Sequence, residues 1–588
     1  MKGLVSTLAT IWRLAVPYFG SEDRWPGRIL LAAVVAIELA IVYITFLLNR
    51  WNGRFFNAVQ EKNWGSFVDE LLYFCVLAAI FIVMAVYQLY LNQWLQIRWR
   101  RWMTARYLGH WLDGPNHYRM QLCGDAADNP DQRIAEDIKQ FISGGVTGIG
   151  VLPIGLGLLN SVVTLVLFTL TLWTLSAAAP LHLFGSDWDI PGYLVWAALL
   201  YAVIGTAFTH LIGRSLIALN FRQQRFEADF RFNLVRVREN SEQIALLDGE
   251  TAERDRLMDR FNAILANWHL IMTRTKRLTF FTAGYSQVST VFPYVVVSPA
   301  YFAGVMQLGG LTQTADAFST VQSALSFFVS SYRQIAEWRA VIDRLAGFEA
   351  AIAAGRRAAE TPPVISVAPR PGGAALEADD LEVNLPTGAP LVKARDISFP
   401  AGEQVLVTGP TGCGKSTLFR AIAGIWPFGA GTVTVPAGAR VVALPQRPYF
   451  PVGSLEAALS YPAVPGTFEG ARLAEMLTAV GLPGLALRLD EHAHWNRMLS
   501  LGEQQRLALA RAILLEPDYL LLDEATASLD EASEAQLYRL LRERLPRMAI
   551  VSIAHRSTLN VFHRRRLVFE RDGNRHRVRE RDLALAGE

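Results

Sequence analysis

Cysteine is scarce in this chain: Cys75, Cys123 and Cys413 are the only three in 588 residues. So few, so widely spaced, suggest no disulfide framework. Net charge is also small, at +3, which argues against a nucleic-acid partner. Charged residues make up 19% of the chain and hydrophobic ones 52%, a balance shifted away from that of a soluble domain. No simple repeat and no long low-complexity tract appears. A cleavable leader is not expected either, because Arg13 interrupts the first apolar stretch and no A-x-A site follows it. Leu4, Leu8, Ile11 and Phe19 recur instead at helical spacing, which predicts a helix lying on a membrane surface. At 588 residues the chain exceeds one core, so two or more domains are expected.

What the chain has in quantity is apolar runs. Six approach the roughly 20 residues that a spanning helix needs: Ile29–Leu48, Leu71–Leu91, Ile149–Leu175, Gly192–Ile212, Leu278–Ala303 and Leu311–Ser331. Pro293 and Pro299 interrupt the fifth, and the sixth is rather polar. The segments after the second and fourth runs carry 7 and 12 Lys plus Arg, whereas those after the third and fifth carry none. The positive-inside rule then places the two basic loops and both termini in the cytoplasm. Glu38 lies mid-run in the first stretch and Asp316 in the sixth. An ionisable group at that depth costs several kcal/mol if it faces lipid. Both are therefore expected to face a polar cavity or a neighbour, as a candidate intramembrane polar site or as a structural pairing with a nearby Thr or Gln.

Periodicity changes after Ala354–Ala374, where Arg, Ala, Pro and Gly replace the apolar pattern. Alternating strand and helix signals follow, indicating an α/β fold. Gly409-Pro410-Thr411-Gly412-Cys413-Gly414-Lys415-Ser416-Thr417 fits G-x-x-x-x-G-K-[ST] and follows a strand-like run, Gln404 to Thr408. Its glycines let backbone N–H groups close around a phosphate; Lys415 then reaches the β- and γ-phosphates, and Ser416 sits on Mg²⁺. Cys413, near a helix start and Lys415, is expected to be an unusually reactive thiol. About a hundred residues on, Tyr519-Leu520-Leu521-Leu522-Asp523-Glu524 reads as a buried parallel strand ending in two carboxylates. Asp523 is placed to meet Mg²⁺ and Glu524 to take a proton from water.

Leu499-Ser500-Leu501-Gly502-Glu503-Gln504-Gln505-Arg506 resembles the signature sequence of ABC ATPases, with departures at Leu501 and Glu503. Gln446, Ser528-Leu529-Asp530 and His555 match that family's Q-loop, D-loop and switch histidine in order and spacing. The resemblance implies a multidomain chain. A six-helix transmembrane domain of exporter-type ABC architecture (1–350) and a linker (351–374) precede an α/β P-loop ABC ATPase domain (375–588). It implies ATP and Mg²⁺ as cofactors. Gln446 touches Mg²⁺ or the lytic water, and His555 holds the γ-phosphate. Ser500, Gly502 and Asp530 act on ATP held by a second copy of the chain. One expected feature is missing: the only aromatic between Ala374 and Thr408 is Phe399, a strand residue. The adenine-stacking position thus falls near Asn384–Pro386.

The membrane half resembles ABC subfamily D and its bacterial BacA/SbmA-like relatives with a fused ATPase domain. The stretches that carry this are Leu48-Asn49-Arg50-Trp51 through Phe56-Asn57-Ala58, then IRWRRWMT from Ile97. They continue with Asn129-Pro130-Asp131-Gln132-Arg133-Ile134 plus Glu136-Asp137, and with Arg238 to Ala245. In the last, Arg238, Glu239 and Glu242 are expected to couple the membrane domain to the ATPase near Gln446; an ordinary solvated helix is the plain alternative. The resemblance implies an ATP-hydrolysing homodimer in the bacterial inner membrane, with lipid and a transported solute as further partners. It implies uptake of peptides or other bulky hydrophilic solutes such as cobalamin. Export of acyl or lipid-like substrates is the second transport reading, and an ATP-gated channel or membrane regulator is a reading of another class.

Overall fold

Long runs of leucine, isoleucine, valine and alanine fold as helices because a helix satisfies its backbone polar groups within the segment. In a computed structural model, which describes residues 2–123, 129–144, 150–178, 181–183, 186–188 and 190–582, this gives four helices long and apolar enough to cross a membrane. They lie within Arg24–Gln60, Trp64–Trp111, Val151–Ala177 and Tyr193–Glu239. Ile149, where the third apolar run begins, lies outside the described residues. The fifth run falls within the helix Glu250–Phe302, which continues through Pro293 and Pro299. The sixth spans Leu308–Leu325 and the start of Phe327–Glu360. Both are helical but outside the apolar set of four.

The chain divides into two compact units: Met1–Leu108 with Asn129–Gly347, and Gly109–Asp128 with Phe348–Glu588. In the first unit, Lys2–Phe19 is a helix, as its spacing predicts. Its Tyr18 is fully buried and stacks on Trp99 at 5.4 Å. Tyr193–Glu239 and Glu250–Phe302 run as a hairpin. Tyr201 stacks on Tyr285 at 4.2 Å, and Asn267 donates to Gln223 Oε1 at 2.9 Å. At 47 and 53 residues these helices measure about 70 and 80 Å, well over twice the hydrocarbon thickness. Neither helix is short enough to lie wholly within the hydrocarbon core along its normal. The tip, Ser241–Leu246, exposes Leu246 and Leu247.

The second unit is built on an 11-stranded sheet. Its central strands, in spatial order Arg565–Asp572, Gln404–Thr408, Ala549–Ile553, Tyr519–Asp523 and Val441–Leu444, pair in parallel. The inner three, Gln404–Thr408, Ala549–Ile553 and Tyr519–Asp523, are almost wholly buried, as central parallel strands covered on both faces are. Phe399 is buried in the strand Ile397–Pro400. Register sets Asp523 beside Ile553, and Ile553 beside Val407. The carboxyl ends of three neighbouring strands thus open at one edge, where ligands bind in sheets of this kind.

Candidate functional site

Thr408 ends its strand, and the chain then turns through Gly412 (φ 77°) and Gly414 (φ 97°) before the helix Lys415–Ile422. Gly414 caps that helix, and a Cβ there would lie 2.6 Å from Val392. Only glycine fits such a backbone. Lys415 is buried, and its Nζ donates to the Gly409 and Pro410 carbonyls at 2.9 Å each. Ser416 Oγ donates to Asp523 Oδ1 at 2.8 Å. The phosphate loop and the strand end thereby share one pair of oxygens. Burial pushes the Asp523 carboxyl up from its ordinary range, and the Ser416 hydrogen bond opposes that rise. A hydroxyl beside a carboxylate is a hard oxygen set that fits Mg²⁺.

Glu524 follows at φ 53°, a left-handed conformation rare outside glycine, with its N–H donating to Ile553 O at 3.1 Å. Strain of this kind gathers at functional sites. It aims the Glu524 carboxylate at His555, whose Nε2 lies 3.3 Å from Oε1. Next to it, Arg556 donates to the carbonyls of Leu529 (2.6 Å) and Ala527 (3.1 Å), tying the histidine segment to the loop Ser528-Leu529-Asp530. Asp530 caps the helix Glu531–Arg544 through Ser533 N at 2.9 Å.

Ser500 is the N-cap of the helix Leu501–Leu515. Its contacts are with Glu503, and Gly502 lies against the Ser528 carbonyl, 3.3 Å from where a Cβ would stand. Among the described residues, no hydrogen bond joins Ser500 or Gly502 to the phosphate loop. Gln446 is exposed, and its backbone carbonyl accepts from Gln505.

Cys413 departs from expectation. It is 1% exposed, packed in the core beneath the sheet, and burial pushes its thiol up while the Lys415 charge opposes. Position near a helix start does not make a reactive thiol when the sulfur points inward.

Two contacts carry no sequence motif of their own. Gln505, 1% exposed, donates to Gln446 O at 3.1 Å and accepts from Ser528 N at 3.0 Å, joining two loops through one side chain. It stands within the signature-like stretch Leu499–Arg506, but nothing in that stretch tells which loops it joins. The helix Asn116–Leu122 belongs with the second unit. Asn116 donates to the carbonyls of His110 and Ile352, and Arg119 to Gly424 O at 3.2 Å, just past the phosphate-loop helix. In the sequence Arg119 is merely one positive charge among seven.

In the first unit, Glu38 is 8% exposed and accepts from Asn160 Nδ2 at 2.6 Å and from Gln88 Nε2. Asp316 accepts from Asn49 Nδ2 at 2.6 Å. The two acids thus belong to separate clusters. Arg238, Glu239 and Glu242 are exposed at the hairpin tip.

Residues 14–302 match the family described as ABC transporter transmembrane region 2, and residues 392–527 match ABC transporter. The inner membrane ABC transporter ATP-binding protein YddA of Escherichia coli (strain K12) is 35% identical, over 92% of this chain and 94% of its own. ABC transporter D family member 2, chloroplastic, of Arabidopsis thaliana is 34% identical, over 95% of this chain and 86% of its own. The lysosomal cobalamin transporter ABCD4 of Mus musculus is 25% identical, over 95% and 94%. A bacterial Atm1-family ABC exporter with ATP bound superposes with a TM-score of 0.71 at 16% identity, covering 95% of both chains, so the fold is of the exporter type. With an N-terminal membrane region, a C-terminal ATPase domain and relatives in subfamily D, the chain belongs to the ABC transporter family and couples ATP hydrolysis to transport.

Proposed function

We propose that this chain is a homodimeric half-transporter of the bacterial cytoplasmic membrane. It has six spans, with the ATPase domain and both termini in the cytoplasm, and it takes up peptides or other bulky hydrophilic solutes such as cobalamin. One observation carries the ATPase half of this reading: Ser416–Asp523 and Glu524–His555 converge at the carboxyl ends of adjacent strands. Residues 409–417 would cradle the phosphates of ATP, and Ser416, Asp523 and Gln446 would hold Mg²⁺. Mg²⁺, when bound, offsets phosphate charge. Glu524 takes the proton of the attacking water, and His555 holds the γ-phosphate and keeps the carboxylate aimed. Ser500, Gly502 and Asp530 serve the ATP of the second copy. Arg238, Glu239 and Glu242, on a tip that projects beyond the bilayer, couple the membrane region to the ATPase. Glu38 and Asp316 are the polar points within the membrane.

The hydrophilic cargo is supported by the mouse relative, named a cobalamin transporter. Right-side-out vesicles loaded with ATP and given labelled peptide or labelled cobalamin test the direction and the cargo together. Accumulation that needs internal ATP and vanishes in Glu524→Gln is expected. ATP consumption with no accumulation of either solute would overturn uptake of these cargoes.

A further inference from the structure

The signature helix begins with a capping box that differs in one atom group from the family's usual one. Ser500 Oγ accepts from Glu503 N at 3.4 Å, and Glu503 Oε2 accepts from both Ser500 N and Ser500 Oγ at 2.8 Å. Both donors that Ser500 offers are therefore taken by one carboxylate oxygen. A glutamine, the residue usual at position 503 in the ABC signature, would close the same box with a neutral carbonyl. The carboxylate is the better partner for the helix dipole. It is also a fixed negative charge at the very end of the helix that, on the proposed dimer, must meet the triphosphate of the partner's ATP.

We propose that Glu503 opposes ATP-driven closure of the dimer, by holding the Ser500 hydroxyl and by placing a like charge beside the incoming γ-phosphate. This rests on the reading that Ser500 acts on the second copy's ATP. In the closed state Ser500 Oγ–H turns from Glu503 Oε2 to a phosphate oxygen. The carboxylate then faces that phosphate across a single hydroxyl while it keeps the Ser500 N–H. Like charges this close repel by an amount that depends steeply on how much water remains. Glu503 thus weakens closure and speeds the separation that follows hydrolysis. The helix cap itself is not the device, since an amide caps as well.

The test uses the full chain reconstituted in lipid, with Glu524→Gln to prevent hydrolysis, and measures retained radiolabelled ATP against ATP concentration. Glu503→Gln keeps the box and removes the charge; half-saturation is expected to fall about three- to tenfold. Ser500→Ala is expected to raise it, and a Glu503→Gln variant that still hydrolyses should separate more slowly after turnover. Unchanged or weaker retention in Glu503→Gln, while Ser500→Ala weakens it, overturns the proposal and leaves the cross-dimer reading standing. If neither substitution changes retention, the cross-dimer reading falls, and the proposal with it.

Discussion

Glu524 and Glu38 are both carboxylates set beside side-chain nitrogens, yet their surroundings differ in kind. Glu524 stands one residue past a strand end, partly open, with a single ring nitrogen at 3.3 Å. Most of its acceptor capacity is unused, so a water molecule can be held and deprotonated there. Glu38 sits mid-helix with each oxygen engaged by a carboxamide from a different helix, Gln88 on Trp64–Trp111 and Asn160 on Val151–Ala178. A carboxylate that accepts from two other helices ties three helices together. One with most of its lone pairs open is free for the proton transfer proposed for Glu524.

Replacing charge by amide separates the two most sharply. Glu524→Gln should bind ATP and lose about 10²-fold or more of its turnover, the scale of a general base, with no loss of thermal stability. Turnover near wild type in purified protein would remove Glu524 from that role. A second substitution marks the difference between chemistry and alignment. Gln505→Met strips the partners from Gln446 O and Ser528 N at nearly constant volume. We expect about tenfold lower turnover, the effect of slightly misplaced loops. Gln505→Glu keeps an acceptor for Ser528 N and should lose less. Equal losses in both would mean that the two loops are not aligned through this side chain.

The ATPase half was legible because its function is local. Gly412, Gly414, Lys415 and Ser416 lie within one loop, and Asp523 with Glu524 at one strand end, so spacing alone announces them. Strand register, fixed by buried apolar runs, then brings the two together. Gln505 was hidden although it lies inside a recognised motif, since nothing in a sequence tells which loops a buried amide will reach. The membrane half shows the converse. Its apolar runs predict helices, and four emerge apolar enough to span. The partners of Glu38 and Asp316 are 50 to 267 residues distant in the chain, and pairings so remote leave no local pattern. Cys413 failed for a related reason, because which way a side chain points depends on what packs above it.

Glu38→Ala tests the structural side of the contrast. It leaves the Gln88 and Asn160 donors unpaired, which should cost about 1–3 kcal/mol of stability, read as a lower unfolding midpoint in lipid nanodiscs. Glu38→Gln should regain part of it by accepting one of the two donors. Because the site lies far from the phosphate loop in sequence and in a separate unit, basal hydrolysis should stay within about twofold. A collapse of hydrolysis in a stable Glu38→Gln protein would break the contrast and make Glu38 a working group.

The last test carries the contrast into the ATPase half itself, between His555 and His563. His563 is 5% exposed; its Nδ1 lies 2.8 Å from Leu559 O and its Nε2 3.0 Å from Ser552 Oγ, which also accepts from Tyr538 OH at 2.9 Å. A carbonyl at Nδ1 requires N–H there, so Nε2 accepts from Ser552 and the ring is neutral. Burial pushes its pKa down to about 4. The unfolded chain, with an ordinary histidine near 6.5, binds that proton first as pH falls. Stability contributed by His563 is therefore whole above about pH 6.5 and lost progressively toward pH 4, by about 2 kcal/mol at pH 5. The unfolding midpoint should drop between pH 7 and pH 5 in wild type and drop less in His563→Gln, whose turnover at pH 7 should survive. His555→Gln should instead lose turnover at pH 7. Identical slopes in wild type and His563→Gln would mean that a satisfied, buried ring in this unit does not govern stability as Glu38 is argued to do in the other.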